Sequence, residues 1–488
     1  MKTNDELFKN VISHAKEYGF VFPSSEIYDG LSAVYDYGQL GAELKNNIKT
    51  YWWKAMVQLN ENIVGIDSAI FMHPKIWKAS GHVDGFNDPM IDNKDSKKRY
   101  RADQLIEDKI TRYERDGKKD KAAKLQADLD EALNNDDLAR LKSIIEEQEI
   151  ACPVSGTKNW TEVRQFNLMF STQMGAMADG SEEVYLRPET AQGIFVNFLN
   201  VQKTGRMKVP FGIAQIGKAF RNEVIARQFI MRMREFEQME MQFFVRPGTE
   251  LDWYNKWKET RLKWHLALKP NPAKYRYHDH VKLAHYANAA VDIEYEFPFG
   301  FKEVEGIHSR TDFDLSQHQT FSGKKMQYFD PEINQNYVPY VIETSIGLDR
   351  MFLTVLSNAY EEEDLSTEEK QDSRSVLHLH PALAPIKAAV FPLTKKDGLP
   401  EKARQVMDLL KMDYNLIYEE KDAIGKRYRR QDAIGTPICI TVDHQSLQDD
   451  TVTIRHRDSM EQERVAIKDL ESLLDRIVGW KPLLKSLL

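Results

Sequence analysis

Four arginines and four glutamates share one short stretch, residues 220–244, which reads FRNEVIARQFIMRMREFEQMEMQFF. A β-strand has a period of two residues, so the pattern predicts one polar face of Arg232, Arg234, Phe236, Gln238 and Glu240, and one apolar face of Met239, Met241 and Phe243. Arginine forks match phosphate, a phenyl ring stacks on a purine, and a carboxylate accepts from an exocyclic amine. The stretch therefore predicts a nucleotide site, although an exposed sheet face with cross-strand ion pairs would have the same composition.

A second set of chemically active residues lies in YVIETSIGLDRMFLTVL, residues 340–356. Glu343 and Ser345 share a strand face, and Gly347 is predicted to turn the chain into an apolar helix. Arg350 falls in the first turn of that helix, where a cation opposes the helix dipole. A phosphate group is the simplest reason for an arginine at that position.

A third candidate is Glu189 in YLRPETAQGIF, residues 185–195. Pro188 suits a first helical turn, and an acid beside it suits the positive end of the helix dipole. Taken alone, helix capping explains Glu189 without any ligand.

The elements that must position these residues indicate an α+β fold with an antiparallel sheet, because strands and helices follow one another without a regular βαβ alternation. Residues 41–59 predict an amphipathic helix and residues 62–74 a β-rich segment. We expect a first domain over residues 1–360, a linker over 361–375 and a small α/β domain over 376–488. Within the first domain we expect an insertion at about 92–160, with two helices, and a second helical insertion at about 247–290.

Composition limits the class of protein. The chain has 488 residues and a net charge of −8, so only a local basic patch would attract nucleic acid. Its two cysteines suit a reducing compartment, and no stretch is long and apolar enough for a signal peptide or a membrane span. We therefore expect a cytoplasmic protein without a membrane partner.

The three sets of residues together resemble the signature motifs of class II aminoacyl-tRNA synthetases. FRNE (220–223) with Arg232, Phe236 and Glu240 is similar to motif 2 of that family, and Gly347-Leu348-Asp349-Arg350 to motif 3. The helix at 41–59 with the segment ending at Pro74 is similar to motif 1, which forms dimers in the family. Longer strings resemble the glycyl-tRNA synthetases of the single-subunit homodimeric type: GFVFPSSEIYDG, DYGQLGAELKNNIKTYWW, HPKIWKASGHV, RPETAQGIF, REFEQMEMQFFV and GKRYRRQDAIGTP.

The resemblance implies that the protein activates glycine with ATP and Mg²⁺, then transfers the glycyl group to tRNA(Gly). Arg221 and Arg350 are then the catalytic arginines, on the α- and γ-phosphates, Glu223 meets adenine, and Glu303 is a Mg²⁺ ligand. The full set implied for ATP is Arg221, Asn222, Glu223, Met231, Arg232, Met233, Arg234, Phe236, Glu303, Val304, Gly347, Leu348, Asp349 and Arg350. The set implied for glycine is Arg101, Glu189, Phe236, Gln238, Glu240, Glu343 and Ser345.

The C-terminal domain resembles the family's anticodon-binding domain. In GKRYRR it offers a basic patch for tRNA, made of Lys426, Arg427, Arg429 and Arg430. A solvated basic helix face is the alternative interpretation of the same residues.

The sequence departs from many relatives at two cysteine pairs with zinc-knuckle spacing. The matching positions here are Asn93, Ser96, Cys152 and Ser155, and one thiolate among four is too few for structural zinc. We expect no zinc there, which leaves open how Arg101 is supported.

Two other functions remain to be weighed against this one. A class II synthetase for threonine, serine or proline would lack RPETAQGIF and REFEQME in this form. A catalytically inactive, synthetase-like binding protein would typically lose the ATP-binding arginines, whereas Arg221, Glu223 and Arg350 are all present.

Overall fold

A computed structural model describes residues 4–175, 182–224, 228–280, 283–284, 286–367 and 371–488. Its strands, in chain order, are β1 (Val21–Pro23), β2 (Tyr35–Tyr37), β3 (Ile63–Gly65), β4 (Asn87–Asn93), β5 (Lys98–Arg101), β6 (Arg164–Asn167), β7 (Phe170–Met174), β8 (Glu182–Leu186), β9 (Phe211–Phe220), β10 (Glu235–Val245), β11 (Tyr275–Asp279), β12 (Ala289–Phe297), β13 (Gly300–Ser309), β14 (Tyr328–Asp330), β15 (Gln335–Tyr337), β16 (Tyr340–Gly347), β17 (Tyr360–Asp364), β18 (Ser373–Leu377), β19 (Ala388–Pro392), β20 (Leu416–Tyr418), β21 (Ile438–Val442), β22 (Thr451–His456) and β23 (Gln462–Ala466).

The helices, in chain order, are α1 (Asn4–Glu17), α2 (Gln39–Trp53), α3 (Lys75–Ala79), α4 (His82–Gly85), α5 (Ala102–Arg115), α6 (Lys119–Asn134), α7 (Leu138–Glu147), α8 (Ala191–Val196), α9 (Phe198–Thr204), α10 (Glu250–Leu266), α11 (Phe313–Ser322), α12 (Leu348–Ala359), α13 (Leu399–Leu410), α14 (Ile424–Ile434), α15 (Ser446–Asp449), α16 (Leu470–Val478) and α17 (Trp480–Lys485). A π-helical segment, Lys54–Gln58, extends α2. Within the described residues, none of these helices combines the length and the apolar character that a membrane crossing demands.

The chain divides into two compact units. The first comprises the residues up to Ser68, Thr190–Lys218 and Phe236–Leu488. The second comprises Ala69–Glu189 and Ala219–Glu235.

The first unit is built on a seven-stranded sheet in the order β11-β12-β13-β16-β10-β9-β3. The pairs from β11 to β10 are antiparallel, while β3 runs parallel to β9. This arrangement confirms the α+β prediction. The second predicted insertion, residues 247–290, contains the long helix α10 but also strand β11, which belongs to the central sheet, so its description as a helical insertion needs correction.

The sheet buries an apolar layer formed by the string RPETAQGIF and the helix after it. Ile194, Phe195 and Phe198 are fully buried, and they pack in one core with Phe211 of β9 and Phe244 of β10. Spacings of one, three and four residues place these side chains on one side of the helical segment. The apolar part of the third candidate motif, residues 190–195, therefore packs into the core of the first unit.

Helix α2 lies unusually close to another backbone segment. A β-carbon at Gly41 would stand only 1.8 Å from the carbonyl oxygen of Phe20, so any larger residue would push the two segments apart. One turn further on, Lys45 is 6% exposed and faces inward.

The second unit contains the first predicted insertion, which differs in detail from expectation. Three helices, α5 to α7, rather than two, pack beside the three-stranded sheet β5-β4-β6. Leu105, Leu125 and Ile144 are among the buried residues of their shared core. The third helix starts where the Asp137 carboxylate accepts the Arg140 amide at 2.8 Å, which is a standard helix N-cap.

The C-terminal residues form a five-stranded sheet in the order β20-β19-β21-β22-β23. Both neighbours of β19 are parallel to it, whereas β21, β22 and β23 are antiparallel. Helices α13 and α16 contribute the apolar residues that cover this sheet.

The predicted linker, residues 361–375, is largely a β-hairpin. Strands β17 and β18 pair from Tyr360 opposite Leu377 to Asp364 opposite Ser373, and residues 368–370 lie outside the described part. Ion pairs replace an apolar core here: the buried Arg374 contacts Glu363 at 2.5 Å and Asp432 at 3.0 Å. A search for apolar residues therefore misses this element.

Candidate active site

Two buried glutamates and a serine, Glu240, Glu343 and Ser345, form what we call the carboxylate cluster on the central sheet of the first unit. Ser345 of β16 lies opposite Glu240 of β10 and donates a 2.7 Å hydrogen bond to its Oε1. Thr190 donates its hydroxyl proton to the other oxygen, and Gln238 donates to Oε1 at 3.3 Å. Glu240 is 2% exposed and is held in place by neutral hydroxyl and amide groups.

Glu343 has a more cationic environment. Arg310 approaches its two oxygens at 3.3 and 3.2 Å, and Gln242 donates to Oε2 at 2.7 Å. His308 donates from Nδ1 to Oε1 at 2.9 Å. Burial disfavours the charge of His308, but the hydrogen bond and charge of Glu343 outweigh it and raise the pKa of His308.

Arg310 is itself anchored by a second carboxylate, Asp314, at 2.8 and 3.1 Å. Burial opposes its charge, yet Asp314 and Glu343 keep the pKa of Arg310 well above its usual value. Arg310 was not predicted from the sequence, although its spacing of four residues from Asp314 in RTDFD was an available signal.

At the start of α12, Arg350 contacts Glu303 of β13. Its Nη1 lies 3.0 Å from Glu303 Oε2 and donates to the Glu303 carbonyl at 3.2 Å. Both side chains retain solvent exposure, 28% and 47% respectively. The predicted phosphate-binding arginine and the predicted Mg²⁺ ligand are therefore brought together, and Gly347 marks the change from strand to helix, as predicted.

Asp349, which was predicted to contribute to ATP binding, has a supporting position. It is 2% exposed, and it accepts hydrogen bonds from the Tyr37 hydroxyl and, at 2.8 Å, from the Glu237 amide. Lys45 lies 2.9 Å from Asp349 and 2.7 Å from Glu237. One ammonium therefore joins α2, β10 and α12, and Lys45 is a second residue that sequence reasoning missed.

In the second unit, Arg221 directly follows β9. Its Nε donates to the Pro188 carbonyl at 3.1 Å, and its guanidinium lies 5.4 Å from the Phe86 ring centre. The Arg221 amide donates to the Arg234 carbonyl. The Arg234 side chain in turn donates to the Glu223 carbonyl at 3.0 Å. These contacts bring three predicted nucleotide residues into one loop system.

The predicted strand face needs correction at its beginning. Strand β10 starts at Glu235, so Arg232 and Arg234 precede it and belong to a loop that follows a short helical turn, Phe229–Met231. Arg227 lies outside the described residues. At the other end of this loop, the Asn222 backbone amide donates a hydrogen bond to the Leu168 carbonyl at 2.8 Å.

Several predicted ATP residues are buried apolar side chains. Their exposed fractions are 6% for Met231, 5% for Met233, and zero for Val304 and Leu348. Phe236, which was predicted to stack on adenine, is half-buried at the start of β10.

Glu189 and Arg101, predicted to bind glycine, both lie in the second unit. Glu189 is 3.5 Å from His82 Nε2, while Thr190, the residue that precedes α8, uses its hydroxyl for Glu240 and does not cap the helix. Arg101 contacts Asp88 at 3.1 Å and Asp103 at 2.5 Å. The support for Arg101 that the sequence left open thus comes from two carboxylates.

The four positions of the expected zinc-knuckle spacing converge in the second unit through hydrogen bonds. Asn93 Oδ1 accepts from the Ser96 amide at 2.9 Å and from the Ser155 hydroxyl at 3.0 Å. Cys152 Sγ lies 3.4 Å from the Ser96 hydroxyl. Burial opposes ionisation of Cys152, but hydrogen bonds from Ser155, Ser96 and Tyr100 lower the pKa of its thiol to about 6.

The predicted tRNA patch on α14 is smaller than the sequence indicates. Arg427 is 2% exposed and donates to the carbonyls of Pro392 and Leu393, so its placement in a surface patch is wrong. Lys426 is exposed. Arg429 and Arg430 are half-buried and pair with carboxylates, Arg429 with Asp372 and Arg430 with Glu419 and Asp422.

Family models match three segments of the chain. The tRNA synthetase class II core domain (G, H, P, S and T) matches residues 170–359, and an anticodon binding domain matches residues 387–477. The glycyl-tRNA synthetase insertion domain 1 matches residues 88–128 and 117–168. The fold and the motif geometry thus define a class II aminoacyl-tRNA synthetase.

Relatives that match over nearly their full length identify the family within the class II synthetases. The chain is 56% identical to the glycine–tRNA ligase of Chlorobaculum tepidum over 457 residues, covering 93% of this chain and 96% of the relative. It is 53% identical to that of Staphylococcus haemolyticus over 474 residues, covering 97% and 99%. The chain belongs to the glycine–tRNA ligase family.

The fold also resembles a solved prolyl-tRNA synthetase from Cryptosporidium parvum, complexed with L-proline and AMP. The TM-score is 0.58 with 11% sequence identity, over 98% of this chain and 76% of the other. At that identity the likeness concerns the fold alone.

Proposed function

We propose that the protein joins glycine to tRNA(Gly) in two steps. The glycine carboxylate attacks the α-phosphorus of ATP, which gives glycyl-adenylate and releases pyrophosphate. A ribose hydroxyl at the 3′ end of the tRNA then attacks the glycyl carbonyl, which forms the ester and releases AMP. Neither step requires a side-chain nucleophile, so the protein contributes positioning and charge stabilisation.

The observation that carries this proposal is the carboxylate cluster. Glycine has no side chain to hold, so its ammonium group must supply most of the affinity. Glu240 and Glu343 are 2% and 4% exposed, and hydrogen bonds hold both carboxylates in fixed orientations. Buried charges of this kind need a compensating cation, and the ammonium of glycine is small enough to join them.

Arg310 distinguishes the two carboxylates. It partly neutralises Glu343, so we assign Glu343 to orientation of the cluster as well as to glycine. Gln238 and Ser345 complete the glycine set on this sheet, and Glu189 and Arg101 remain proposals from the second unit.

For ATP we propose that Arg221 binds the α-phosphate, Glu223 the adenine amine, and Phe236 the adenine ring. Arg350 binds the γ-phosphate and exchanges its contact with Glu303 for that phosphate. The remaining predicted positions contribute backbone or apolar contacts, because Met231, Met233, Val304 and Leu348 are buried.

Glu303 fits a Mg²⁺ ligand because it offers a partly exposed carboxylate, and Mg²⁺ bound with ATP usually takes one or two carboxylates plus phosphate oxygens. Bound there, the ion would neutralise charge on the leaving pyrophosphate. Release of Arg350 toward phosphate would leave the Glu303 carboxylate for this role.

We further propose that Lys426, Arg429 and Arg430 contact tRNA, that the protein acts as a homodimer through α2, and that it works in the cytoplasm. Motif-1 resemblance supports the dimer, and the exposure of Lys426 supports the tRNA contact. We propose no zinc at the Cys152 group, because hydrogen bonds already join its four positions.

The test of the function is glycine-dependent exchange between ATP and pyrophosphate, with alanine, serine and threonine in parallel. Exchange with glycine alone is the expected result. Exchange with another amino acid would leave the class intact but refute the glycine site. A folded protein that exchanged with none of them would support a non-catalytic binding protein.

A further inference from the structure

Three polar side chains converge on the central sheet of the first unit, beside the carboxylate cluster. They are His280, which follows β11, Asp292 on β12 and His308 on β13. One nitrogen or oxygen atom of each lies within 4.8 Å of those of the other two. None of these three residues has a role in the reaction proposed above.

The contacts identify the atoms that meet. His280 Nε2 lies 2.9 Å from Asp292 Oδ2. His308 uses Nδ1 for Glu343, which leaves its Nε2 for a different partner. The side chains are only partly exposed: 33% for His280, 16% for Asp292 and 22% for His308.

Gly306 keeps the space between these atoms open. A β-carbon built on Gly306 would lie 3.3 Å from His308 Nε2 and 3.6 Å from Asp292 Oδ1. Any side chain at residue 306 would therefore intrude where the imidazole and the carboxylate converge. The three candidate ligand atoms lie within 4.8 Å of one another, so small side-chain shifts would bring all of them to ligand bonds of about 2.0–2.2 Å around one ion.

The strand register places this gap next to the carboxylate cluster. Asp292 is opposite Gly306, Gly306 is opposite Ser345, and Ser345 is opposite Glu240. Directly opposed residues of antiparallel strands point to the same face of a sheet. The histidines and Asp292 therefore belong to the same polar face as the glycine site.

We propose that His280, Asp292 and His308 form a binding site for a divalent transition-metal ion such as Zn²⁺. Two imidazoles and one carboxylate select Zn²⁺, Co²⁺ or Ni²⁺ over Mg²⁺ and Ca²⁺, which prefer oxygen ligands alone. Three protein ligands with an open position are a familiar zinc arrangement. The site is distinct from the Mg²⁺ proposed at Glu303 and from the Cys152 group in the second unit.

The contact between His308 and Glu343 supports this assignment. A metal-binding histidine usually donates its second ring N–H to a carboxylate, which fixes the tautomer and the ring orientation. His308 does this through Nδ1, at 2.9 Å from Glu343. The metal would in turn hold His308 toward Glu343 and pin three neighbouring strands together.

The local charge also favours a cation. Asp292 lies within electrostatic reach of a second carboxylate, Glu303. A divalent ion on Asp292 would remove the repulsion between the two carboxylates. Arg350 offers partial compensation at Glu303.

The test is direct metal binding to the full-length protein after chelator treatment and dialysis, with Co²⁺ as an optical probe and Zn²⁺ as its competitor. We expect stoichiometric uptake with the visible absorption of low-coordinate Co²⁺, and displacement by Zn²⁺. His280→Gln and Asp292→Asn should each abolish uptake at concentrations that saturate the unmodified protein.

Matched controls separate this site from the alternatives. His278→Gln changes a histidine on β11 that lies outside the triad, and Cys152→Ser changes the cysteine of the second unit, so both should retain uptake. Metal-free melting temperatures of His280→Gln and His308→Gln, compared with the unmodified protein, show whether lost uptake reflects lost folding. Uptake that persists in both triad variants, or no uptake by the unmodified protein, would refute the site.

A further experiment tests whether the metal site is coupled to the glycine site, and it rests on the proposed function. Glu343→Gln removes the carboxylate behind His308 and should lower metal affinity roughly 10–100-fold. In a separate measurement on the unmodified protein, glycine bound at the carboxylate cluster should change the affinity for Co²⁺. Binding that depends on the triad but is insensitive to glycine would retain the metal site and refute only its coupling to the glycine site.

Discussion

Ser345 and Glu240 face each other across strands β16 and β10, and the serine hydroxyl donates to the Glu240 carboxylate at 2.7 Å. The hydroxyl fixes one oxygen of the carboxylate, while Thr190 fixes the other. A carboxylate held in this way meets a small ammonium without reorganising, which is the main cost that preorganisation removes.

Glu240→Gln should therefore weaken glycine binding while leaving ATP binding intact. Loss of a charge-assisted hydrogen bond costs about 1.5–3 kcal/mol, or roughly 10–160-fold in the KM for glycine. The measurement is ATP–pyrophosphate exchange at varied glycine and varied ATP. Glu332→Gln, at an 80% exposed side chain, is the matched control and should match the unmodified protein. An unchanged KM for glycine in Glu240→Gln would remove Glu240 from the site.

Arg350→Gln should lower the rate of adenylate formation by about 10²–10³-fold, by analogy with the loss of one oxyanion donor. The loss should appear in kcat, because the contact to the γ-phosphate is proposed to strengthen as pyrophosphate leaves. Single-turnover adenylate formation measures the step directly. If transfer of glycyl from preformed adenylate fell equally, the assignment to the phosphate would be wrong.

Lys45→Met should destabilise the protein strongly. The Lys45 side chain is 8% exposed and its ammonium lies within 2.9 Å of both Glu237 and Asp349, so its removal leaves the buried Asp349 without this cation and Glu237 with the more distant Lys49. Breaking a buried pair in this manner costs about 3–5 kcal/mol. Lys49→Met is the control: this ammonium is 29% exposed, lies 3.5 Å from Glu237, and should cost at most about 1 kcal/mol. Urea unfolding compares the two variants.

His378 should make the stability of the hairpin β17–β18 depend on pH. Its two nitrogens contact Asp458 at 2.7 Å and Glu363 at 2.9 Å, and the hydrogen bond to Asp458 outweighs burial and raises the pKa of His378. The stabilisation is thus complete below the unfolded value, about 6.5, and is lost as pH rises through the higher folded value. His378→Gln should differ most from the unmodified protein in mildly acidic solution and converge with it at alkaline pH.

The pKa values of the two acidic partners of His378, Asp458 and Glu363, set the lower limit of the pH range in which His378 stabilises the hairpin. His378 and Arg457 lower the pKa of Asp458, and Arg374 and His378 lower that of Glu363, so both partners stay ionised in mild acid. His73→Gln, at an exposed histidine, should show no such pH-dependent difference. Parallel melting curves for the two variants at every pH would contradict the prediction.

Lys426→Ala and Arg427→Ala form a second matched pair. Lys426 is exposed, so its loss should weaken tRNA binding and reduce the salt slope by about 0.7–0.9 for one lost phosphate contact. Arg427 is buried on three carbonyl oxygens, so its loss should lower the melting temperature instead. Filter binding at several salt concentrations, with thermal melts, distinguishes the two effects. If both variants are folded and lose tRNA affinity equally, Arg427 also belongs to the tRNA-binding patch.

The positions of the catalytic motifs followed from local patterns. A period of two residues placed Glu343 and Ser345 on one face, and Gly347 marked the change from strand to helix; both features are present. The start of β10 could not be predicted from the same pattern. Arg232 and Arg234 fit the alternation of a strand, but they lie in the loop before it, where Arg234 donates a hydrogen bond to the Glu223 carbonyl. Alternation alone does not distinguish a strand from the extended residues before it.

Burial of charged residues was the main feature that local patterns missed. Arg427 and Lys426 are neighbours in one basic string, yet one is buried and the other exposed. Lys45 pairs with carboxylates distant in sequence, Glu237 and Asp349, and Arg310 pairs with the distant Glu343 as well as with the nearby Asp314. Only the register of the strands and the path of the chain bring the distant partners together.

The lysine at the centre of α2, β10 and α12 also limits how this chain can vary over evolutionary time. A neutral residue at position 45 is expected to arrive with a compensating change at position 349 and, to a lesser degree, at position 237, where Lys49 supplies a second, more distant ammonium. Three segments that are far apart in the gene are therefore expected to change together or not at all. Drift at Lys49, which sits at the edge of this group, carries no comparable constraint.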